Sequence, residues 1–136
     1  MFRSVLCVCM ALISGGCSFL SSSAEEEKAQ TMLINVDFQD RHRCSRISPE
    51  ITVTNIPAGT RSFLVRLEES GDTPRILGGG TWENDNSGII PEGALARYYQ
   101  GACPRSGETG KYVFAVAAMG DDGQPKAVRT YKLELE

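Results

Sequence analysis

The stretch KYVFAVAAM, residues 111–119, decides the fold of this 136-residue chain. It alternates with a period of two, and Tyr112, Phe114 and Val116 share one face. The residues between them are apolar as well, which is typical of a central strand that is covered on both sides. A strand of this kind needs further strands beside it, so the rest of the chain must supply a sheet.

Earlier segments alternate in the same way, and no segment holds a helical stripe for three turns. Their apolar faces are formed by Ile34, Val36 and Phe38 in LINVDF, Ile51 and Val53 in EITVTN, and Phe63, Val65 and Leu67 in SFLVRLEE. The segments NIPAGT, SGDTP, LGGG and IIPEG predict turns between strands. Asp122-Gly123 in GDDGQP predicts a type I′ hairpin before the last strand, AVRTYKLELE. Short strands with frequent turns indicate an all-β sandwich or barrel.

The composition places limits on function. A hydrophobic content of 41% and a charged content of 23% are ordinary for one folded domain. The formal net charge of -3 argues against a nucleic-acid binder, which would carry a basic surplus.

Residues 1–16 are predicted to be a signal peptide, with Arg3 before the apolar stretch SVLCVCMALIS. The following SGGC resembles the lipobox of bacterial lipoproteins, which predicts that Cys17 is lipidated. Ordinary cleavage after Ala24 is the alternative, because SSA also fits the small-residue rule. Residues 17–30 are then a flexible tether, and the location is the bacterial envelope, either membrane-anchored and facing the periplasm or soluble in the periplasm.

Two cysteines, Cys44 and Cys103, remain after Cys7, Cys9 and Cys17 are assigned to the N-terminal segment. An exported chain with two remaining thiols is expected to form one disulfide. Closing a loop of that length stabilises the chain by about 4 kcal/mol on the chain-entropy model.

Motifs for catalysis are absent from the sequence. SGETGKY lacks the first glycine and the Ser/Thr of a phosphate-binding loop, and it leads into a strand rather than a helix. The single histidine, His42 in DRHRCSR, is interpreted as part of a solvated loop, although its arginine neighbours could meet an anion. One histidine and two oxidised cysteines form no metal-ligand set, so no metal, cofactor or catalytic residue is predicted.

The segments CSRISPEITVTNIPAGTRSFLVRLEESGDTP and GACPRSGETGKYVF together resemble the phosphatidylethanolamine-binding protein family, in its Raf-kinase-inhibitor-like bacterial branch. LGGGTW and IIPEGALARYYQGACP resemble its short exported members. The resemblance covers residues 44–123 and implies an antiparallel Greek-key β-sandwich over residues 31–136. It also implies a small anion pocket at one end of the sandwich.

The resemblance carries the pocket residues over position by position. Asp72 and Pro74 match the family's Asp-x-Pro turn, and the second signature is matched by Cys103, Pro104, Gly107 and Tyr112. The family's histidines are missing, because Gly110 and Leu77 stand at their expected positions and Lys111 replaces an arginine.

The pattern therefore predicts a non-catalytic protein with a degraded pocket, in which Lys111 and Arg105 are possible replacement cations. Its function is an interaction scaffold for an envelope protein partner. The alternative is a binding module for a small anion or a phospholipid head group.

Overall fold

The computed structural model describes residues 31–95 and 97–136, which form seven β-strands and one 3-10 helix. The predicted signal peptide and tether, including Cys17, lie outside the described residues. The elements are β1 (Leu33–Asp37), the 3-10 helix (Asp40–His42), β2 (Glu50–Thr54), β3 (Thr60–Glu69), β4 (Arg75–Glu83), β5 (Ile89–Ile90), β6 (Gly110–Gly120) and β7 (Pro125–Leu135).

The strands form two antiparallel sheets. The three-stranded sheet has the order β1-β2-β5, and the four-stranded sheet has the order β4-β3-β6-β7. The chain passes through β5 of the first sheet before it returns to the second, so the neighbours β3 and β6 are not consecutive in sequence. The predicted all-β antiparallel sandwich with little helix is confirmed.

The core lies between the two sheets and is built from the predicted inward faces. Its fully buried members include Ile51, Phe63, Leu67, Phe114 and Val116. The strand register places Val65 opposite Val116, so side chains of β3 and β6 point to the same layer. The period-two alternation therefore becomes one continuous apolar layer.

The two sheets are also joined at one edge by a polar contact. Arg129 of β7 donates from Nε to the carbonyl oxygen of Met32, just before β1, at 2.8 Å. Hydrogen bonds to charged groups are stronger than neutral ones, so this contact fixes the start of β1 against the four-stranded sheet.

The prediction that β6 is covered on both sides is wrong for its second face. Tyr112, Phe114 and Val116 are buried, but Val113 and Ala115 are only half-buried. Within residues 31–95 and 97–136, no layer of the chain packs over this second face.

The structure also differs from three of the turn predictions. LGGG lies inside β4 rather than in a turn. The glycine at position 78 is needed because a Cβ there would lie 1.8 Å from the Tyr98 carbonyl oxygen. IIPEG begins with β5, and its turn starts only at Pro91. The β6–β7 hairpin is present, but Gly123 alone has a positive φ there, so its turn is not type I′.

The described chain begins at one end of the sandwich. The carbonyl oxygen of Thr31 accepts a hydrogen bond from Asn55 Nδ2 at 3.1 Å, beside the turn that leads into β3. The loop that follows β3 lies at the opposite end, about 30 Å away for a ten-residue strand.

Candidate functional site

An open cleft of about 760 Å³ lies at the end of the sandwich where β3 finishes and β6 begins. One wall comes from residues 69–75, which end β3 and start β4. The other wall comes from residues 104–105 and 108–110, which precede and start β6. The antiparallel pairing of β3 with β6 brings these two loops together.

Four of the predicted pocket residues line this cleft, namely Asp72, Pro74, Pro104 and Gly110. Proline restricts the backbone in each loop, so both walls have limited freedom. The Asp-x-Pro turn and the Cys-Pro loop therefore meet across one cavity.

The second loop is held by the predicted disulfide between Cys44 and Cys103, which is present with a Cα–Cα distance of 4.4 Å. The Cys44 N–H also donates to the carbonyl oxygen of Ala102 at 2.9 Å. Gly101 has a φ of +82°, and a Cβ there would lie 2.1 Å from the Ser45 carbonyl oxygen. Only glycine permits this close approach, which seats the Cys-Pro loop against the segment after β1.

The charges around the cleft are mixed. Arg75 Nη2 lies 2.8 Å from Glu69 Oε2, so this arginine is paired within the wall. Asp72, Arg105 and Glu108 also line the cleft. Two arginines and three carboxylates give a formal lining charge of 2 - 3 = -1, which does not favour an anion.

Gly110 and Tyr112 form a tightly packed pair beneath the cleft. Tyr112 is 1% exposed, and its hydroxyl has no hydrogen-bond partner among the described residues. An ideal Cβ on Gly110 would lie 2.5 Å from that hydroxyl oxygen and 2.6 Å from ring atom Cε2. The tyrosine side chain thus occupies the space that a side chain at position 110 would need.

The Tyr112 hydroxyl remains a proton donor. Burial raises its pKa, and the nearby Glu69 carboxylate raises it further. The backbone of Cys103 acts in the opposite direction, but no hydrogen bond of normal geometry joins the two. A buried donor without a partner is costly, which makes this hydroxyl notable at the base of the cleft.

Four of the predicted pocket residues do not line the cleft, namely Leu77, Cys103, Lys111 and Tyr112. Cys103 is in the disulfide, and Tyr112 lies beneath the cleft surface. Leu77 is 4% exposed and belongs to the hydrophobic core. Lys111 points to the other side of β6, where its Nζ lies 3.6 Å from Glu134 Oε1. Side-chain alternation along a strand separates Lys111 from its neighbours Gly110 and Tyr112.

His42 is not in a solvated loop, so that interpretation is wrong. The residue is fully buried in the 3-10 helix, and its Nδ1 accepts a hydrogen bond from the Gln39 N–H at 2.9 Å. Its Nε2 lies 3.2 Å from Glu92 Oε2, although the N–H is poorly aligned with that oxygen. Both ring nitrogens therefore face protein groups, which leaves no free nitrogen to act as a base.

Glu92 also accepts a hydrogen bond from Arg41, whose Nη2 lies 2.6 Å from Glu92 Oε2. The hydrogen bond from Arg41, followed by the contact with His42, lowers the pKa of Glu92. This cluster ties the segment after β1 to the loop after β5. Because Glu92 already pairs with Arg41 and contacts His42, the cluster joins two loops and is not an anion site.

No cluster of three metal-ligating side chains occurs within residues 31–95 and 97–136. The same residues contain no helix with the length and apolarity needed to cross a bilayer.

No model of a known protein family matches the chain. The UPF0098 protein YbhB of Escherichia coli (strain K12) is 32% identical to it in an alignment 95 residues long, and the match covers 54% of this chain and 60% of that protein. The crystal structure of Escherichia coli YbcL, described as a new member of the mammalian PEBP family, has the same fold. It superimposes with a TM-score of 0.62 and 15% identity over 77% of this chain and 98% of YbcL.

The chain thus has the fold of YbcL, and part of its sequence is similar to YbhB. The match spans less than two thirds of the length of YbhB. The cleft lies where the two segments that resemble the family's signatures meet, at one end of the β-sandwich.

Sequence reasoning missed the cleft residues Glu69, Arg75 and Glu108. Arg75 directly follows the Asp-x-Pro turn, which is a usable signal. The pairing of Arg75 with Glu69 depends on the β3–β4 register, which places them opposite each other and which the sequence does not specify.

Proposed function

We propose that this protein is a divergent member of the phosphatidylethanolamine-binding protein family that serves as a non-catalytic interaction scaffold of the bacterial envelope, with a cleft that has lost tight anion binding. The charge of the cleft carries the proposal. Its lining has a formal charge of -1. Arg75 already forms an ion pair with Glu69, so its charge is not available to an anion. A phosphate group entering this cleft meets Asp72 and Glu108 as well as Arg105.

The non-catalytic part rests on the histidine inventory. The sequence has one histidine, and both nitrogens of His42 face groups of the protein. General acid–base catalysis at neutral pH most often uses a histidine within reach of the substrate. The cleft contains no histidine. We therefore propose that the cleft either binds a ligand without catalysing a reaction or has no role in function.

Calorimetry tests the cleft directly. Phosphate and phosphoethanolamine are titrated into the purified chain at low salt, and we expect millimolar or weaker dissociation constants. Each missing donor to a charged ligand group costs about 1.5–3 kcal/mol, or roughly one to two decades of affinity. Micromolar binding by the unmodified chain would overturn the proposal.

The second candidate is a binding module for a small anion or a phospholipid head group. The unpartnered Tyr112 hydroxyl and the cleft-lining Arg105 favour it, because both are donors near the retained Asp72–Pro74 turn. On this candidate, Arg105→Ala weakens phosphate binding by at least about tenfold. Arg61→Ala is the matched control, because Arg61 is an exposed arginine that pairs with Asp121 far from the cleft.

The envelope location and the lipid anchor are part of the same proposal. They rest on the signal-like residues 1–16 and on Cys17 in SGGC. The Cys44–Cys103 disulfide supports an oxidising compartment, because such bonds are rare in the cytosol.

A further inference from the structure

The Cys-Pro loop, which forms one wall of the cleft, is cross-linked to the segment after β1 at the surface of the protein. Cys44 and Cys103 form the disulfide, and both residues are exposed. Disulfides that are exposed to solvent are the labile ones, whereas buried structural disulfides resist reduction. The bond that holds this wall is therefore open to attack by a thiol.

Residues 103–109 depend on this bond, and we call them the strap. Inside the strap, the Glu108 N–H donates to the Arg105 carbonyl oxygen at 3.0 Å. Among residues 31–95 and 97–136, no backbone hydrogen bond and no ion pair joins the strap to another element. A Cβ at Gly107 would have no atom within 4 Å, so no other group packs against this position. The disulfide is thus the main contact that holds the strap in place.

The two ends of the strap are fixed by contacts that do not involve sulfur. Before it, the Cys44 N–H donates to the Ala102 carbonyl oxygen at 2.9 Å. After it, Gly110 pairs with Leu135 where β6 begins. Both contacts remain when the disulfide is reduced, so the strap is expected to move while its ends and the two sheets keep their positions.

The strap covers the Tyr112 hydroxyl at the base of the cleft. Burial raises the pKa of Tyr112, and the backbone of Cys103 acts in the opposite direction, which places the first residue of the strap beside this hydroxyl. The hydroxyl has no hydrogen-bond partner among the described residues. A buried donor without a partner is costly, and movement of the strap would allow water or a ligand to supply one. The closed strap therefore has a cost that the disulfide offsets.

The backbone of Cys44 also favours the reduced form. Its φ is +53°, in the left-handed region that a residue with a Cβ seldom adopts. The cross-link to Cys103 is one of the contacts that hold Cys44 in this conformation. Reduction removes that contact and allows the backbone to relax.

Exposed arginines lie close in sequence to both cysteines. Arg43 and Arg46 are within two residues of Cys44, and Arg105 is two residues after Cys103. A nearby positive charge stabilises a thiolate, and a stabilised thiolate leaves faster in thiol–disulfide exchange. Either cysteine therefore has a cation near it that favours its departure.

We propose that the Cys44–Cys103 disulfide is a redox switch for the cleft, in which reduction by a dithiol frees the strap and uncovers the Tyr112 hydroxyl. A thiolate of the dithiol attacks one sulfur, the sulfur–sulfur bond breaks, and the other cysteine leaves as a thiolate that takes up a proton. The second thiol of the dithiol, as its thiolate, then attacks the mixed disulfide and releases the first cysteine. The dithiol is oxidised to a disulfide, and the protein disulfide is reduced to two thiols.

Limited trypsin digestion of the folded full chain tests release of the strap, because Arg105 lies within it. After reduction and alkylation, we expect cleavage after Arg105 to be at least about tenfold faster than in the unreduced chain. Cleavage after Arg66 is the control for unfolding and should not change, because its strand, β3, is paired on both sides. Equal cleavage after Arg105 in the two states, or equal acceleration at both bonds, overturns the proposal.

A variant with Cys44→Ser and Cys103→Ser gives the same test without a reagent. It lacks the cross-link and carries no alkyl groups, so its cleavage after Arg105 should match that of the reduced chain. A variant that is cleaved as slowly as the unreduced chain would show that the disulfide does not hold the strap. If the variant fails to fold, the reduced unmodified chain decides the test.

Acetylation of tyrosine hydroxyls by N-acetylimidazole, followed by peptide mass spectrometry, tests whether Tyr112 is uncovered. We expect Tyr112 to be modified at least about tenfold faster in the reduced chain. Tyr99 is the buried control at 2% exposed and should stay unmodified in both states, whereas Tyr98, at 68% exposed, should be modified in both. An unchanged rate at Tyr112, or parallel modification of Tyr99, contradicts the proposal.

The rate of reduction tests whether a thiol reaches the bond in the folded chain. Dithiothreitol without denaturant is expected to reduce the disulfide within about tenfold of the rate for the urea-denatured chain. Reduction that proceeds only as fast as global unfolding would overturn the proposal. The switch concerns access to the cleft and goes beyond the proposed function. Calorimetry with phosphate reports on binding separately, so failure of the switch and failure of the proposed function are distinguishable.

Discussion

Gly110→Ala tests the packing at the base of the cleft. The added methyl group would lie 2.5 Å from the Tyr112 hydroxyl oxygen and 2.6 Å from its ring, so one of them must move. Tyr112 is fully enclosed, and overpacking of such a site typically costs 1–3 kcal/mol. Replacing glycine by alanine also stabilises the protein by about 0.4–1 kcal/mol, because it restricts the unfolded chain. The middle values of the two ranges leave a net loss of about 1.3 kcal/mol.

Urea unfolding with the disulfide intact measures this loss. Gly71→Ala is the control, because no atom lies within 4 Å of a Cβ at that position, and it is expected to change the free energy of unfolding by less than about 0.5 kcal/mol. The penalty of Gly110→Ala should largely disappear when Tyr112 is also changed to alanine. A neutral Gly110→Ala, or a penalty that persists without the tyrosine ring, would refute the reasoning.

The same packing also bears on whether substitutions could restore anion binding in the cleft. Because Gly110 and Leu77 stand at the expected histidine positions, the family pattern implies that Gly110→His with Leu77→His would restore the missing donors. The first imidazole collides with Tyr112, and the second is placed in the hydrophobic core. We therefore expect the double variant to lose stability rather than to gain phosphate affinity.

Three further outcomes are expected. Thiol labelling of the unreduced, denatured protein should modify neither Cys44 nor Cys103, and replacing both by alanine should lower the free energy of unfolding by about 4 kcal/mol; labelling of both contradicts the assignment. The pKa of Glu92 is lowered in the folded state, so its stabilisation is present at neutral pH and is lost as the pH falls through that lowered value. The stability difference between the unmodified chain and Glu92→Gln should therefore shrink on acidification in urea titrations, and a constant difference would contradict this. Cys17→Ala should release the protein from the membrane fraction or leave it unprocessed; membrane association together with cleavage near Ala24 would contradict lipidation.

The strands and their inward faces were predictable because alternation is a local property of the sequence. Residues such as Phe63 and Val65 are buried as their spacing indicates. The disulfide was predictable by counting cysteines. The approximate position of the cleft followed from the family signatures around Asp72 and Pro104.

Other features depend on contacts between segments that are distant in sequence. The glycines of LGGG have the composition of a turn, but their real constraint is Tyr98, which crosses β4 some twenty residues later. His42 lies among charged residues, and its burial depends on Glu92, which is fifty residues away. The second side of β6 is predicted to be buried because its sequence is apolar, but its exposure depends on where the other sheet packs, which alternation does not specify.

The opposite positions of Thr31 and the cleft have a consequence for orientation at a membrane. A tether over residues 17–30 has 14 residues, and if it is as flexible as its composition predicts, its r.m.s. span is about 20 Å. Turning the cleft toward the bilayer would require the tether to run back along the sandwich for about 30 Å, which exceeds its r.m.s. span and is about two thirds of its fully extended length. An anchored protein would thus present the cleft to the aqueous compartment, where soluble molecules reach it more readily than the head groups of its own membrane.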